Sequence, residues 1–375
     1  MGCAGAPPPV EQSAPPSAAC SAASARIAFD FETAPQSKCV IEGERAFSII
    51  VTPEHAPPIN PSPWYAFRYQ SAGEQPITVR LRYLGGKHRY RPLLTMDGKH
   101  RWLDAEVADD GKSATIELSP GSGIVSGQEI FDSARYRALA ERLSTRGAAR
   151  TFSIGSSLDG RDIVALRMGR PDAPRLVVLL GRRHPPEVTG ALAMEPFLEA
   201  LADGFVRKRP DLADVQVIAV PLLNPDGVAR GHWRANRGGT DLNRDWGLFT
   251  QPETRAVARW LERLPDRIRP VAMIDFHSTT RNLFYVQGDE ANEDQQRFLA
   301  RWLAGKEDAI PGYRFTIERR NANPGAGTAK NWFHATFAIP AYTYEVGDDT
   351  DRGAIARAAS ELATDFLAAL RSAPK

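Results

Sequence analysis

In the segment Arg175-Leu-Val-Val-Leu-Leu-Gly-Arg-Arg-His-Pro-Pro-Glu-Val-Thr-Gly-Ala-Leu-Ala-Met-Glu-Pro-Phe-Leu198, a buried strand gives way to an amphipathic helix. Leu176 to Leu180 is an unbroken apolar run, the pattern of a strand covered on both faces. Met194, Phe197, Leu198 and Leu201 then recur on one side of a helix. The same strand type returns at Val215 to Val220, Val271 to Phe276 and Ala341 to Val346. Helical patterns lie around and between them. Ser133 reads as a cap ahead of Tyr136, Leu139 and Leu143, and Thr250-x-x-Glu253 as a capping box ahead of Val257, Trp260, Leu261 and Leu264. The Ala-rich end from about Gly353 to Leu370 reads as a closing helix. This alternation predicts an α/β fold, a mainly parallel or mixed doubly wound sheet with helices on both faces. Such sheets place their sites just beyond the carboxyl ends of the strands.

Ahead of this region the rhythm is different. Ile77, Val79, Leu81 and Tyr83 alternate with Thr78, Arg80 and Arg82, the period-two mark of a half-buried strand. Phe47 to Val51, Trp64 to Tyr69 and Ala114 to Leu118 are similar, and Ser119, Pro120 and Gly121-Ser-Gly123 read as a turn that ends the last strand. A small antiparallel β-sandwich over 26–128 therefore precedes the α/β domain over 129–375. Residues 1–25, dominated by Ala, Pro and Ser, read as a disordered tether, because they hold too little apolar surface to offset ordering entropy.

Lys plus Arg number 47 against 45 acids, a net charge of +2 that gives no general reason to expect nucleic acid or an anionic membrane as partner. No run of eighteen or more apolar residues offers a transmembrane helix. Three cysteines, Cys3, Cys20 and Cys39, make no disulfide framework. Met1-Gly-Cys3-Ala-Gly5 resembles the Gly-Cys end of a bacterial lipoprotein signal whose apolar segment lies upstream. On that reading Cys3 carries lipid, the protein sits in the cell envelope or periplasm, and Cys20 and Cys39 are free to pair in an oxidising compartment. The competing reading is an arbitrary start in a low-complexity tail, two unpaired thiols and a cytoplasmic protein.

The chemistry gathers at the strand ends. His184-Pro-Pro-Glu187 closely follows a buried strand and the turn at Gly181, and the two prolines stiffen the loop. His277 ends a second strand and Glu345 a third. Together they supply what one catalytic zinc ion needs: His184, Glu187 and His277 as three ligands with the fourth position open, and Glu345 as general base. Between them lie Asn224-Pro-Asp-Gly227, His232-Trp-Arg-Ala-Asn236 and Asp241-Leu-Asn-Arg-Asp-Trp246. Arg234 and Arg244 are candidates for two jobs, since a guanidinium fork suits a carboxylate and a cation near a metal suits a developing oxyanion. His55, His88, His100, His232 and His334 read as structural or surface groups.

Six ordered motifs carry a resemblance: Ser157-Leu-Asp-Gly-Arg161, His184-Pro-Pro-Glu187, Asn224-Pro-Asp-Gly227, Asp241-Leu-Asn-Arg244, Asp275-Phe-His277-Ser278 and Tyr342-Thr-Tyr-Glu345. In these the chain resembles the zinc carboxypeptidases. The sandwich, with Pro63-Trp-Tyr-Ala-Phe-Arg68 inside it, is similar to the cytosolic carboxypeptidase branch, whose members trim C-terminal residues, often glutamates. The resemblance implies His184, Glu187 and His277 on zinc, Glu345 as base and then acid, and Arg234 on the oxyanion. It also implies Asn243 and Arg244 on the substrate's terminal carboxylate, Asp241 orienting His184, and Arg161 lining an outer subsite. Two departures stand out. Many relatives carry a tyrosine roughly twenty residues before the catalytic glutamate, where this chain reads Asn321-Ala-Asn-Pro-Gly-Ala-Gly-Thr-Ala-Lys330. Lys330 also falls where relatives place the floor of the terminal side-chain pocket, and a cation there favours an acidic terminal residue.

The expected activity is therefore metallocarboxypeptidase hydrolysis of the C-terminal peptide bond of peptides or proteins, with an acidic preference. A zinc-dependent deacylase of N-acyl amino acids is the alternative, since relatives of aspartoacylase use a similar HxxE and later His. A metal-free binding module with a retired pocket is a third reading, opposed by the intact ligand set and Glu345. The sandwich offers no chemical motif, only a buttress or a wall for the cleft.

Overall fold

Ile77, Val79, Leu81 and Tyr83 turn into a buried core while Arg80 and Arg82 face solvent, as their alternation requires. The structure, a computed structural model, describes residues 19–321 and 323–371. Its first unit contains β1 (Cys20–Ala22), β2 (Ala25–Ala28), β3 (Lys38–Gly43), β4 (Ala46–Val51), β5 (Ala66–Ser71), β6 (Ile77–Tyr83), β7 (Leu93–Met96), β8 (Lys99–Trp102), β9 (Glu106–Val107), β10 (Ser113–Leu118) and β11 (Gly121–Ser126). Two sheets, β1-β2-β5-β11-β7-β8 and β3-β4-β6-β10-β9, enclose a core built on Phe47, Tyr65, Phe67, Tyr69, Val79 and Leu81. All strand pairs are antiparallel except β4 with β6.

Two sequence expectations change here. Strand pairing starts at Cys20, where β1 meets β2 with Cys20 opposite Ile27, so residues 20–25 belong to the sandwich and not to a tether. A disulfide from Cys20 to Cys39, the pairing that the envelope reading allowed, joins β1 to β3 in the other sheet and helps to anchor this edge. Residues 1–18, with Cys3 and its lipid-anchor reading, lie outside the described residues. The Gly121-Ser-Gly123 segment is part of β11, which pairs with both β5 and β7. A Cβ on Gly123 would stand 2.8 Å from the Thr95 carbonyl oxygen; glycine serves close strand approach there, not a turn.

The second unit runs α1 (Ser133–Thr145), β12 (Arg150–Ser156), β13 (Asp162–Gly169), β14 (Arg175–Gly181), α2 (Val188–Val206), β15 (Val215–Val220), α3 (Pro225–Ala229), α4 (Pro252–Glu262), β16 (Arg269–Thr279), β17 (Leu283–Val286), α5 (Glu293–Trp302), β18 (Thr316–Arg319), α6 (Ala329–Phe337), β19 (Ala341–Gly347) and α7 (Arg352–Arg371). The sheet order is β12-β13-β15-β14-β16-β19-β17-β18. The four apolar runs of the sequence are its parallel centre, β15-β14-β16-β19, and antiparallel joins of β13 to β15 and β17 to β19 make the sheet mixed. Helices α2, α5 and α7 cover one face, with Phe197 against Phe276 and Phe366. Helices α4 and α6 cover the other. Each fully buried ring of that size contributes ~2 kcal/mol through burial alone.

Both expected caps move by one residue or more. Asp132, not Ser133, caps α1, accepting from the Arg135 amide, and the Ser133 hydroxyl donates to Glu32 of the sandwich. Helix α4 starts at Pro252 with Gln251 as its cap, so no Thr250/Glu253 box forms. Thr250 instead bonds the Asp245 carboxylate, and Glu253 is buried against the Asn236 amide.

Glu253 has no solvent access, and burial pushes its carboxyl up to about 7 from an ordinary 4.5. The folded state then holds a proton the unfolded chain has released, so this contribution is full below the unfolded value and is lost as pH rises through about 7. Replacing Glu253 with Gln should shrink the stability lost between about pH 5 and about pH 8 by up to ~3 kcal/mol. Denaturant unfolding across that range checks it; an unaltered pH slope would disprove it. Asp348, raised by burial to about 6, leaves a residual slope.

Candidate active site

Strands β16 and β19 are parallel, with His277 directly opposite Glu345. Period two also places Asp275 on the same side as His277. The third contribution comes from the loop after β14. Arg182, not Gly181, makes its turn, in the left-handed region at φ 51°. Hydrogen bonds from its guanidinium to the Pro185 carbonyl and the Tyr136 hydroxyl hold this strained residue. Glu187 then opens α2, which lies hard against β16, because a Cβ on Gly190 would stand 2.6 Å from the His277 carbonyl oxygen. Ser278 receives the Gly190 amide and bonds the Thr189 hydroxyl, each at 2.8 Å. Glycine at 190 is therefore a condition for Glu187 to reach His277.

The side chains converge. Nδ1 of His184 lies 2.8 Å from Oε1 of Glu187, and Nδ1 of His277 lies 2.6 Å from Oε2. Their rings are 5.0 Å apart, and one ligand atom from each of the three residues lies within 4.8 Å of the others. Each imidazole is anchored by its far nitrogen: Nε2 of His184 to Asp241 at 2.8 Å, Nε2 of His277 to Asp275 at 2.9 Å. A neutral imidazole that donates from Nε2 keeps a lone pair on Nδ1 for a metal, the usual carboxylate–histidine arrangement. Two imidazole nitrogens and a carboxylate at this spacing fit zinc. Glu345 points to the same conclusion, since its Oε2 is buried without a partner among the described residues, and burial pushes its carboxyl well above the usual range.

Around this centre lies a cleft of about 420 Å³ lined by His184, Glu187, Arg234, Asn243, Arg244, His277, Lys330 and Glu345, together with Arg89, Tyr285 and Arg320. Nε of Arg234 donates to Asp241 at 2.7 Å. Burial alone would raise the Asp241 carboxyl, but His184 and Arg234 outweigh it and hold the group far below its usual range. Asn243 spends its side-chain oxygen on Arg183 and the Ala329 amide, which leaves its NH2 for the cleft. Arg244 gives one nitrogen to the Asn243 carbonyl. Lys330 is buried and donates to the Arg320 carbonyl at 3.2 Å. Arg161, expected at an outer subsite, is not among the residues that line this central cleft, and its guanidinium is paired with Asp226 and Asp159. Asp226 also receives the Ser157 hydroxyl, so the first and third motifs lock to each other and support the site from outside. Tyr285 of β17 is the tyrosine among the lining residues, stacked under Arg320 at 5.0 Å.

The model of the zinc carboxypeptidase family (peptidase M14) matches residues 136–365, more than half of the chain. The chain belongs to this family. An uncharacterized protein of Zymomonas mobilis is 28% identical over 214 residues, 53% of this chain and 55% of that protein. Cytosolic carboxypeptidase 2 of Homo sapiens is 32% identical over 162 residues, 39% of this chain and 17% of that protein. The chain thus spans about half, or less, of the length of these curated relatives. A metallo-carboxypeptidase from Burkholderia cenocepacia shares the fold with a TM-score of 0.74 at 21% identity, covering 92% of this chain and 97% of that one. Because that coverage takes in the sandwich, the likeness extends to the two-unit layout.

Sequence reasoning missed Arg183 and Arg89. Arg183 is fully buried, 2.6 Å from Asp275, and stacks on Trp246; its neighbours are 60 to 92 positions away, so no local pattern marks it. Arg89 reaches the cleft from the sandwich and bonds Asp348 at 2.7 and 2.9 Å. Asp275 did have a signal, its i, i+2 spacing from His277. Since Asp241 fixes the His184 ring, Asp241→Asn should weaken zinc binding by about 10- to 100-fold. Competition with a chelator at neutral pH measures this, and wild-type affinity in the variant would remove the orienting role.

Proposed function

We propose that the chain is a zinc metallocarboxypeptidase that hydrolyses the C-terminal peptide bond of peptides or proteins and prefers an acidic terminal residue. One observation carries the reading: Glu345, with a buried unpartnered oxygen, lies opposite His277 in the ladder and beside the His184, Glu187 and His277 cluster. Bound there, zinc would supply Lewis-acid activation of water and polarisation of the scissile carbonyl. Glu345, its carboxyl raised by burial, takes a proton from the attacking water and returns it to the leaving amine. Arg234 is held through Nε by Asp241, which leaves its terminal nitrogens, unpaired among the described residues, to meet the developing oxyanion. The NH2 of Asn243 and the remaining donors of Arg244 suit a terminal carboxylate. Glu345→Gln should retain zinc yet lose turnover by about two decades or more, as expected when a general base is removed; a variant as active as wild type would defeat the assignment.

The acidic preference rests on the lining. Arg89, Arg234, Arg244, Arg320 and Lys330 face the cleft, where Glu187 and Glu345 are the lining carboxylates among the described residues. Arg89, Arg234 and Arg320 are ion-paired with Asp348, Asp241 and Glu318 behind the lining, which leaves Arg244 and Lys330 to carry the preference. Burial lowers the Lys330 ammonium to about 8, so its charge, and the preference, are present below that pH and fade above it. Peptides ending in Glu should be cleaved about tenfold faster than those ending in Leu, and Lys330→Met should erase most of that margin. Equal rates for peptides ending in Glu, Leu and Lys would end this part of the reading. Release of acyl groups from N-acetyl or N-succinyl amino acids without peptide cleavage would replace it by the deacylase.

Attachment to a bacterial cell envelope through a lipidated Cys3 is part of the proposal, supported by Met1-Gly-Cys3 and by a disulfide of the kind that persists in oxidising compartments. Mass spectrometry of the native protein should find the lipid, and an unmodified Cys3 would remove it.

A further inference from the structure

The sandwich reaches into the second unit at Glu54, in the loop after β4. Its carboxylate receives three consecutive backbone N–H groups, those of Trp233, of Arg234 at 2.8 Å and of Ala235 at 2.6 Å. Successive amides turned to one anion form a concave cradle, and charge-assisted bonds of this kind are the strong ones. The indole of Trp233 packs on the sandwich core, 6.1 Å from the Tyr90 ring, with the Arg89 guanidinium 5.0 Å above it. On its other side the same loop is tied to the α/β unit. The Ala235 carbonyl accepts from Asn224, and Ala235 bridges to Asp241. Between the two attachments sits Arg234, whose Nε meets Asp241, which in turn holds His184.

We propose that Glu54 is a positioning residue, by which the sandwich clamps the 233–235 backbone and so aims the Arg234 guanidinium at the reaction centre. This rests on the carboxypeptidase reading. A loop free to shift would carry Arg234 away from the position where charge develops, and small displacements of such donors cost rate more than binding.

The test uses the full-length, zinc-loaded protein and compares Glu54→Gln, Arg234→Ala and the double variant. Glu54→Gln keeps the shape but leaves one acceptor oxygen for three amides. Amide hydrogen exchange at 234 and 235 should quicken by about tenfold or more, kcat should fall by about tenfold or more, and KM and zinc content should stay within about twofold. In the Arg234→Ala background the same change should cost less than about twofold in kcat, because the group it positions is gone. Glu54→Asp, which keeps the charge on a shorter side chain, should fall between wild type and Gln, and it carries the test if the Gln variant does not fold. An equal loss in both backgrounds would show general support of the fold and overturn the proposal, as would unchanged exchange, or quickened exchange with unchanged kcat. No wild-type peptide turnover would defeat the carboxypeptidase reading and the positioning role with it, while the exchange data would still report separately whether the clamp exists.

Discussion

Arg183 and Asp275, both without meaningful solvent access, form an ion pair at 2.6 Å on which the site is built. A buried charge without its partner is far costlier than the pair, by ~3–5 kcal/mol. The pair therefore fixes where the loop after β14 must lie relative to β16. Asp275 passes that constraint to His277 through Nε2, and Arg183 passes it to Asn243 through Nη1. One electrostatic requirement of the interior thus orients a metal-ligand candidate and a substrate-binding candidate together. Asp241 does the corresponding work for His184 nearer the surface, with Arg234 as its cation.

The two units are joined by the same kind of interaction. Arg89 of the sandwich pairs with Asp348, three residues beyond Glu345, and Arg352 at the start of α7 forks onto Glu129 between the units. Each pair combines a guanidinium with a largely buried carboxylate, geometry that resists sliding better than apolar contact does. The choice between buttress and wall, open in the sequence, does not arise in the structure: Arg89 both pairs with Asp348, just past β19, and lines the cleft.

Legibility from sequence followed the range of the interaction. Strands β14, β15, β16 and β19 and helices α2 and α7 were readable because burial imposes a local period, and the ligand loop was readable because it follows a strand within a few residues. The capping box at Thr250 failed where a local rule met a distant competitor: the Asp245 carboxylate takes the Thr250 hydroxyl, and Pro252 starts the helix later. The turn reading of Gly121-Ser-Gly123 failed because a glycine that permits close strand approach, as at Gly123, and a glycine for a turn look alike in one dimension. Strands β17 and β18 were missed because each is only four residues long, and β18 holds a single apolar residue.

By itself the sequence determined the layer order, the α/β class with a β-sandwich ahead of it, and the residue types at the site. Those follow from hydrophobic periodicity and from chemistry that each side chain carries wherever it lies. Only the tertiary structure decided that His277 and Glu345 share a rung of the ladder, that Arg182 and not Gly181 takes the strained turn, and that Arg161 pairs with Asp226 and is not among the residues lining the central cleft. Those outcomes depend on register and on contacts between residues far apart in the chain, where a shift of one position would turn each side chain to the opposite face.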